Sequence, residues 1–184
     1  MIVSFGSLVG QDDLGQQRRE SGASYGVDLE PVMLAVVFMA SDTVLLTFHL
    51  AATASMFGLI WFVQIVHYPL FGSVGHDSFV DYETAHRRRT SYVVGPLMAA
   101  EALTAVLLVA NPPKGVGVAL PIAGLVLLGV IHMSTVWLQV PRHAELNNGY
   151  DDAALRRLVR SNWVRTIGWS CRCAIAVALA LVAS

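Results

Sequence analysis

Four apolar runs limit what this chain can fold into. Residues 43–71, 91–110, 116–140 and 163–182 each hold no more than two charged side chains, and each reaches the ~20 residues that a helix needs to cross a ~30 Å hydrocarbon core. Lipid offers no partner to an unpaired backbone group, so helices are expected, their hydrogen bonds being internal. The short alternating strands of a membrane barrel are missing from the pattern. Only 14% of the 184 residues are charged, against about 25% in a soluble domain, and a lipid-facing surface accounts for the deficit. The predicted fold class is all-α: a membrane-spanning four-helix bundle with short interfacial helices in its two long loops.

Residues 31–184 are read as this four-helix domain, and residues 1–30 as a polar N-terminal extension without helical periodicity. The extension lacks the basic start and apolar core of a signal peptide. Two readings of it stay open: a tail that orders against a partner, or an over-extended start with Met33 or Met39 as the first residue. Residues 31–40 read as a short interfacial helix leading into the first span. The sequence Asn-Pro-Pro-Lys-Gly at 111–115 makes a tight turn between spans two and three. The two longer connections carry helical patterns. One places Phe79, Tyr82, Glu83 and His86 at helical spacing; the other starts with Asp151 as N-cap and aligns Leu155, Leu158, Val159 and Asn162. Both patterns are amphipathic, as expected of helices lying on the membrane surface.

Basic residues set the orientation. Arg87, Arg88 and Arg89 follow span one, and Arg142, Arg156, Arg157 and Arg160 follow span three, whereas the other side has Lys114 and, more distantly, Arg18 and Arg19. By the positive-inside rule the long loops are cytoplasmic and both termini are outside. These arginines read as neighbours of anionic headgroups, with the lipid bilayer as partner and no nucleic acid.

Ionisable and amide groups inside membrane helices are costly, so they mark a function or a paired structural role. Counted from the ends of the spans at ~1.5 Å per residue, Gln64, Glu101, His132 and Arg172 all fall about 10–15 Å deep. One polar group per helix in one layer is the strongest internal sign of a site. Helical stripes extend it: His49, Thr53, Met56, Ile60, Gln64 and His67 on span one, His132, Thr135 and Gln139 on span three, continuing toward His143, and Asn162, Arg165, Trp169 and Arg172 on span four. Glu101 is expected to pair with Arg172 or to hydrogen-bond His132. A pocket open from the cytoplasmic side and a purely structural lock between helices are both consistent with the pattern.

No metal site is expected. His49 and His67 lie about 27 Å apart along one helix, at ~1.5 Å per residue. No HExxH and no pair of Glu-x-x-His motifs is present, unlike a di-iron bundle. A haem between His67 and His132 requires the helices to shift by about a turn. Cys171 and Cys173 point in different directions on a helix and read as small gap-filling residues.

The run Trp61-Phe62-Val63-Gln64-Ile65-Val66-His67-Tyr68-Pro69-Leu70-Phe71, followed by Phe79, Tyr82, His86, Gly95-Pro96-Leu97-Met98 and Glu101, and then by Gln139-Val140-Pro141, Leu146 and Asn162-Trp163-Val164-Arg165-Thr166, resembles a group of uncharacterised bacterial four-helix membrane proteins. More distantly it resembles the anthrone-oxygenase-like superfamily over residues 43–183. The N-x-x-R-T start of span four matches, while Pro141-Arg142-His143 has histidine where asparagine is usual. The resemblance implies a bacterial inner membrane and a lipophilic aromatic or quinone-like ligand. With it, Glu101, His132 and Arg172 become candidate catalytic residues, as bases and as an anion stabiliser. Gln64, His67, Tyr68, His86, Gln139, Asn162 and Arg165 become candidate ligand-binding residues. Two function classes follow: a small-molecule enzyme or binder, and a non-catalytic subunit of a larger electron-transfer or photosynthetic membrane complex. Neither requires a cofactor, and a haem-binding role stands as a further alternative.

Overall fold

The computed structural model describes residues 42–183; the expected extension at 1–30 and the interfacial helix at 31–40 lie outside the described residues. The described chain is helical almost throughout. Helix α1 (Asp42–Phe62) passes through a π-helical turn (Val63–His67) into a single helical turn, α2 (Tyr68–Leu70). Helix α3 runs from Phe79 to Ala110. After the turn at 111–115, α4 (Ala119–Ser134) passes through a second π-helical turn (Thr135–Gln139) into α5 (Val140–Leu146). Helix α6 (Asp152–Ala183) closes the bundle. Each half is thus an interrupted helix followed by a continuous helix of 32 residues.

Four helices are long and apolar enough to cross a membrane. They form a ring in which α1 packs on α3 and α6, and α4 packs on the same two, so that α1 lies diagonally opposite α4. The bundle is apolar outside, and its interior holds buried polar groups among an apolar core. Phe48, Leu103, Trp137 and Leu181 are 63–71% exposed, whereas Glu101 and Arg172 are 0% and 1% exposed. That inversion suits a lipid solvent, in which a buried polar group finds its only partners.

The two long connections are more helical than their composition indicates. The patterns at 79–89 and 151–162 do form helices, but each is the first part of a 32-residue helix that continues into the span behind it. At ~1.5 Å per residue such a helix is about 48 Å long, so it stands well clear of a ~30 Å core. Asp151 caps α6 as expected, its Oδ1 accepting from the Ala154 N–H at 2.6 Å. Gly115 adopts φ +80° in the short turn, where a side chain would be strained.

Both π turns precede a proline. Pro69 and Pro141 lack the N–H of a regular helix, and their rings crowd the carbonyl four residues back. The helix widens there: Tyr68 N–H bonds Val63 O, and Val140 N–H bonds Thr135 O, each spanning five residues. Two glycines allow α4 and α6 to approach closely. A Cβ at Gly124 would meet Arg172 Nη1 at 2.8 Å, and one at Gly168 would meet Ile131 Cγ1 at 2.6 Å.

Candidate functional site

Three polar groups occupy the interior. The deepest is centred on Glu101 of α3. Its Oε1 accepts from Thr53 at 3.0 Å and from Arg172 Nη2 at 3.0 Å, and its Oε2 accepts from the Trp169 indole N–H at 2.9 Å. Arg172 Nη2 also lies 3.4 Å from His49 Nε2. A guanidinium only donates, so His49 Nε2 is the acceptor and Nδ1 carries the proton. That Nδ1–H reaches Thr104 Oγ1 at 2.8 Å, and Thr104 in turn donates to the Ala100 carbonyl. Among the described residues every carboxylate oxygen here is engaged, and the group ties α1, α3 and α6 together.

The second group joins α1 to α6. Gln64 Oε1 accepts from Asn162 Nδ2 at 2.9 Å and from Thr166 Oγ1 at 3.3 Å, while its Nε2 donates to the Val159 carbonyl at 3.2 Å. Arg165 donates to Asn162 Oδ1 at 3.2 Å and lies 5.2 Å over the Trp169 ring, a cation–π contact.

The third group lies at the end of the bundle that carries the long connections. Tyr68, delivered by the first π turn, lies with its hydroxyl 3.0 Å from His143 Nε2. His143 Nδ1 lies 2.7 Å from Glu83 Oε1. A carboxylate can only accept, so Nδ1 carries a proton, and the tyrosine hydroxyl bonds the other ring nitrogen, giving a hydrogen-bonded chain Tyr68–His143–Glu83. Beside it His67 Nε2 lies 2.9 Å from His86 Nδ1. Buried Phe71 packs edge-on against His67, His86 and Tyr82, with ring centroids 5.0–5.3 Å apart.

A cavity of about 320 Å³ opens between these last two groups, lined by Tyr68, His86, Gln139, His143 and Arg165 and by the apolar Ile60, Val63, Val94 and Met98. Two of the lining residues carry a buried polar atom with no hydrogen-bond partner among the described residues: the donor Arg165 Nε and the acceptor Gln139 Oε1. The other end of the Gln139 amide donates to Ser161 Oγ at 2.9 Å, so the orphaned oxygen is the free end.

The sequence-predicted residues therefore divide. Glu101 and Arg172 pair directly, one of the two partnerships expected of Glu101, but they sit in the closed group. His132 joins neither and keeps its Nε2 without a partner among the described residues. Gln64 and Asn162 hold each other. His67 has His86, not His132, as its hydrogen-bond neighbour. Tyr68, His86, Gln139 and Arg165 line the cavity together. Sequence reasoning missed Glu83, His143, Thr53 and Trp169 as partners. Glu83-x-x-His86, two ligand-type side chains at i and i+3 on one helical face, was the available signal for the first. The partner, His143, lies 60 residues further on in sequence.

Comparison with protein-family models, with curated proteins and with solved structures finds no match to this chain.

Proposed function

We propose that the protein is a multi-pass protein of a bacterial inner membrane that binds a small lipophilic, oxygen-bearing aromatic molecule of the quinone type. One observation carries this reading: a cavity of ligand size, two of whose lining residues carry a buried polar atom without a partner among the described residues, the donor Arg165 Nε and the acceptor Gln139 Oε1. Pockets for small molecules are mostly apolar with a few convergent polar groups. A quinone carbonyl would satisfy the donor, and the hydroxyl of the reduced form would satisfy the acceptor. Ile60, Val63, Val94 and Met98 would hold the ring. The Tyr68–His143–Glu83 relay offers a route for the proton that such a molecule gains or loses. The resemblance carried by Asn162–Thr166 points to the same ligand class, and the arginines of the long connections favour a cavity at the cytoplasmic end.

Titration of the full-length protein in detergent with a water-soluble naphthoquinone, followed by tryptophan fluorescence, tests the reading. Saturable binding is expected, weakened about tenfold by Gln139→Leu and by Arg165→Met, the ~1.4 kcal/mol typical of one hydrogen bond. Binding unchanged in both folded variants would exclude this cavity as the site. A purified protein that always carries other subunits and no quinone would favour the accessory-subunit reading instead.

A further inference from the structure

The groove between α3 and α5 brings together Glu83, His86 and His143, whose ligand-type atoms all lie within 4.8 Å of one another. Four-coordinate zinc with bonds of ~2.0–2.1 Å needs its donors about 3.3 Å apart, so small side-chain rotations would close a site. His67 lies outside that group as a hydrogen-bond partner of His86, its Nε2 2.9 Å from His86 Nδ1. Among the described residues this is the one group of three His, Cys, Asp or Glu side chains with that spacing.

A second observation points the same way. Glu83 is fully buried, and its Oε2 has no hydrogen-bond partner among the described residues. That oxygen shares a carbon with Oε1, which contacts His143 at 2.7 Å, so it lies beside the imidazoles. Buried carboxylates are normally satisfied on both oxygens, because an unpaired buried acceptor is costly. A cation would satisfy it.

The donor set narrows the ion. One carboxylate and two imidazoles form the His₂Glu set of catalytic zinc and the facial triad of non-haem iron, whereas calcium and magnesium take oxygen donors. With Nδ1 turned to the ion, His143 would carry its proton on Nε2 and donate it to the Tyr68 oxygen, an outer partner of the kind that orients such ligands. His86 and His143 also line the cavity of about 320 Å³, so an ion they hold would sit on its wall. We propose that Glu83, His86 and His143 bind a divalent first-row transition-metal ion of the zinc or iron class. The site does not depend on what occupies the cavity.

The test uses full-length protein in detergent, stripped with a chelator, with no quinone present. Co²⁺ is titrated in while the visible ligand-field bands are followed, and Zn²⁺ is then added in competition. One equivalent of Co²⁺, displaced by Zn²⁺, with a rise in melting temperature, is the expected result. Glu83→Gln and His143→Gln should each weaken binding about 100-fold, at the upper end of what loss of even an outer-shell partner costs. His132→Gln, outside the cluster, should bind as the unmodified chain does. Should Glu83→Gln fail to fold, His143→Gln carries the same comparison, because that side chain is only partly buried and glutamine keeps a hydrogen-bonding group. Absence of Co²⁺ bands in the folded, unmodified protein would overturn the proposal, as would equal affinity in folded His143→Gln. Because quinone is absent throughout, either result leaves the quinone reading to its own titration.

Discussion

Tyr68 and His143 meet at 3.0 Å although their helices stand at diagonal corners of the bundle. Each follows a π-helical turn and lies next to, or two residues beyond, a proline. Such turns are frequently found at functional positions in helices, and here they build one wall of the cavity. Tyr68→Phe would remove the hydroxyl bonded to His143 Nε2 while keeping the ring. A loss of about 1 kcal/mol in stability is expected, the usual value for one hydrogen bond, read as a lower melting temperature in detergent.

The Glu101–Arg172 pair predicts a larger and strongly non-additive response. Glu101→Leu strands a guanidinium at 1% exposure, and Arg172→Met strands a carboxylate at 0%. Each single change should cost about 3–5 kcal/mol, because it leaves a buried charge unpaired. The double variant should be less destabilised than the sum of the two, and a double-mutant cycle on unfolding free energies measures the difference. Strict additivity would show that the two charges do not depend on each other.

Gly168→Ala should destabilise by about 1–3 kcal/mol, the range for overpacking a filled core, because the new methyl would meet Ile131 Cγ1 at 2.6 Å. Adding Ile131→Ala should recover part of that loss. Gly95→Ala meets no heavy atom within 4 Å and sits in the middle of α3. It should be neutral or stabilising by up to about 1 kcal/mol, through helix propensity.

Orientation is checked by labelling. With Cys171 and Cys173 replaced by alanine, Lys114→Cys should react with a membrane-impermeant maleimide on intact cells, and Asn148→Cys should react only after lysis. The reverse pattern would invert the topology that the arginines predict.

Much of the bundle was legible in the sequence because hydropathy and helical period are local properties. On α1, His49, Thr53, Met56, Ile60 and Gln64 are all buried, as are Asn162, Arg165, Trp169 and Arg172 on α6. The same reasoning weakens at the π turns. One extra residue per turn shifts the register, and His67, three after Gln64, is only half-buried instead of facing the core. The length of α3 was hidden for a different reason. The run Arg87–Arg88–Arg89 marks where a helix leaves lipid, but arginine is a good helix former and the helix continues through it. The Tyr68–His143–Glu83 relay depends on contacts 60 and 75 residues apart, which no local window contains.

The π turns also place the cluster under a counting rule. Each π turn takes up one residue more than an ordinary helical turn and leaves the segment beyond it facing as it would without that residue. Deleting one residue from Val63–His67 or from Thr135–Gln139 would therefore restore an ordinary helix with Tyr68 or His143 still turned toward the other, whereas a deletion in Asp42–Phe62 or Ala119–Ser134 would rotate everything beyond it by about 100°. Descendants of this gene could therefore shed a π turn and keep the cluster, or scatter it through a single in-frame indel in the regular helix, with no substitution at any of the residues that form it.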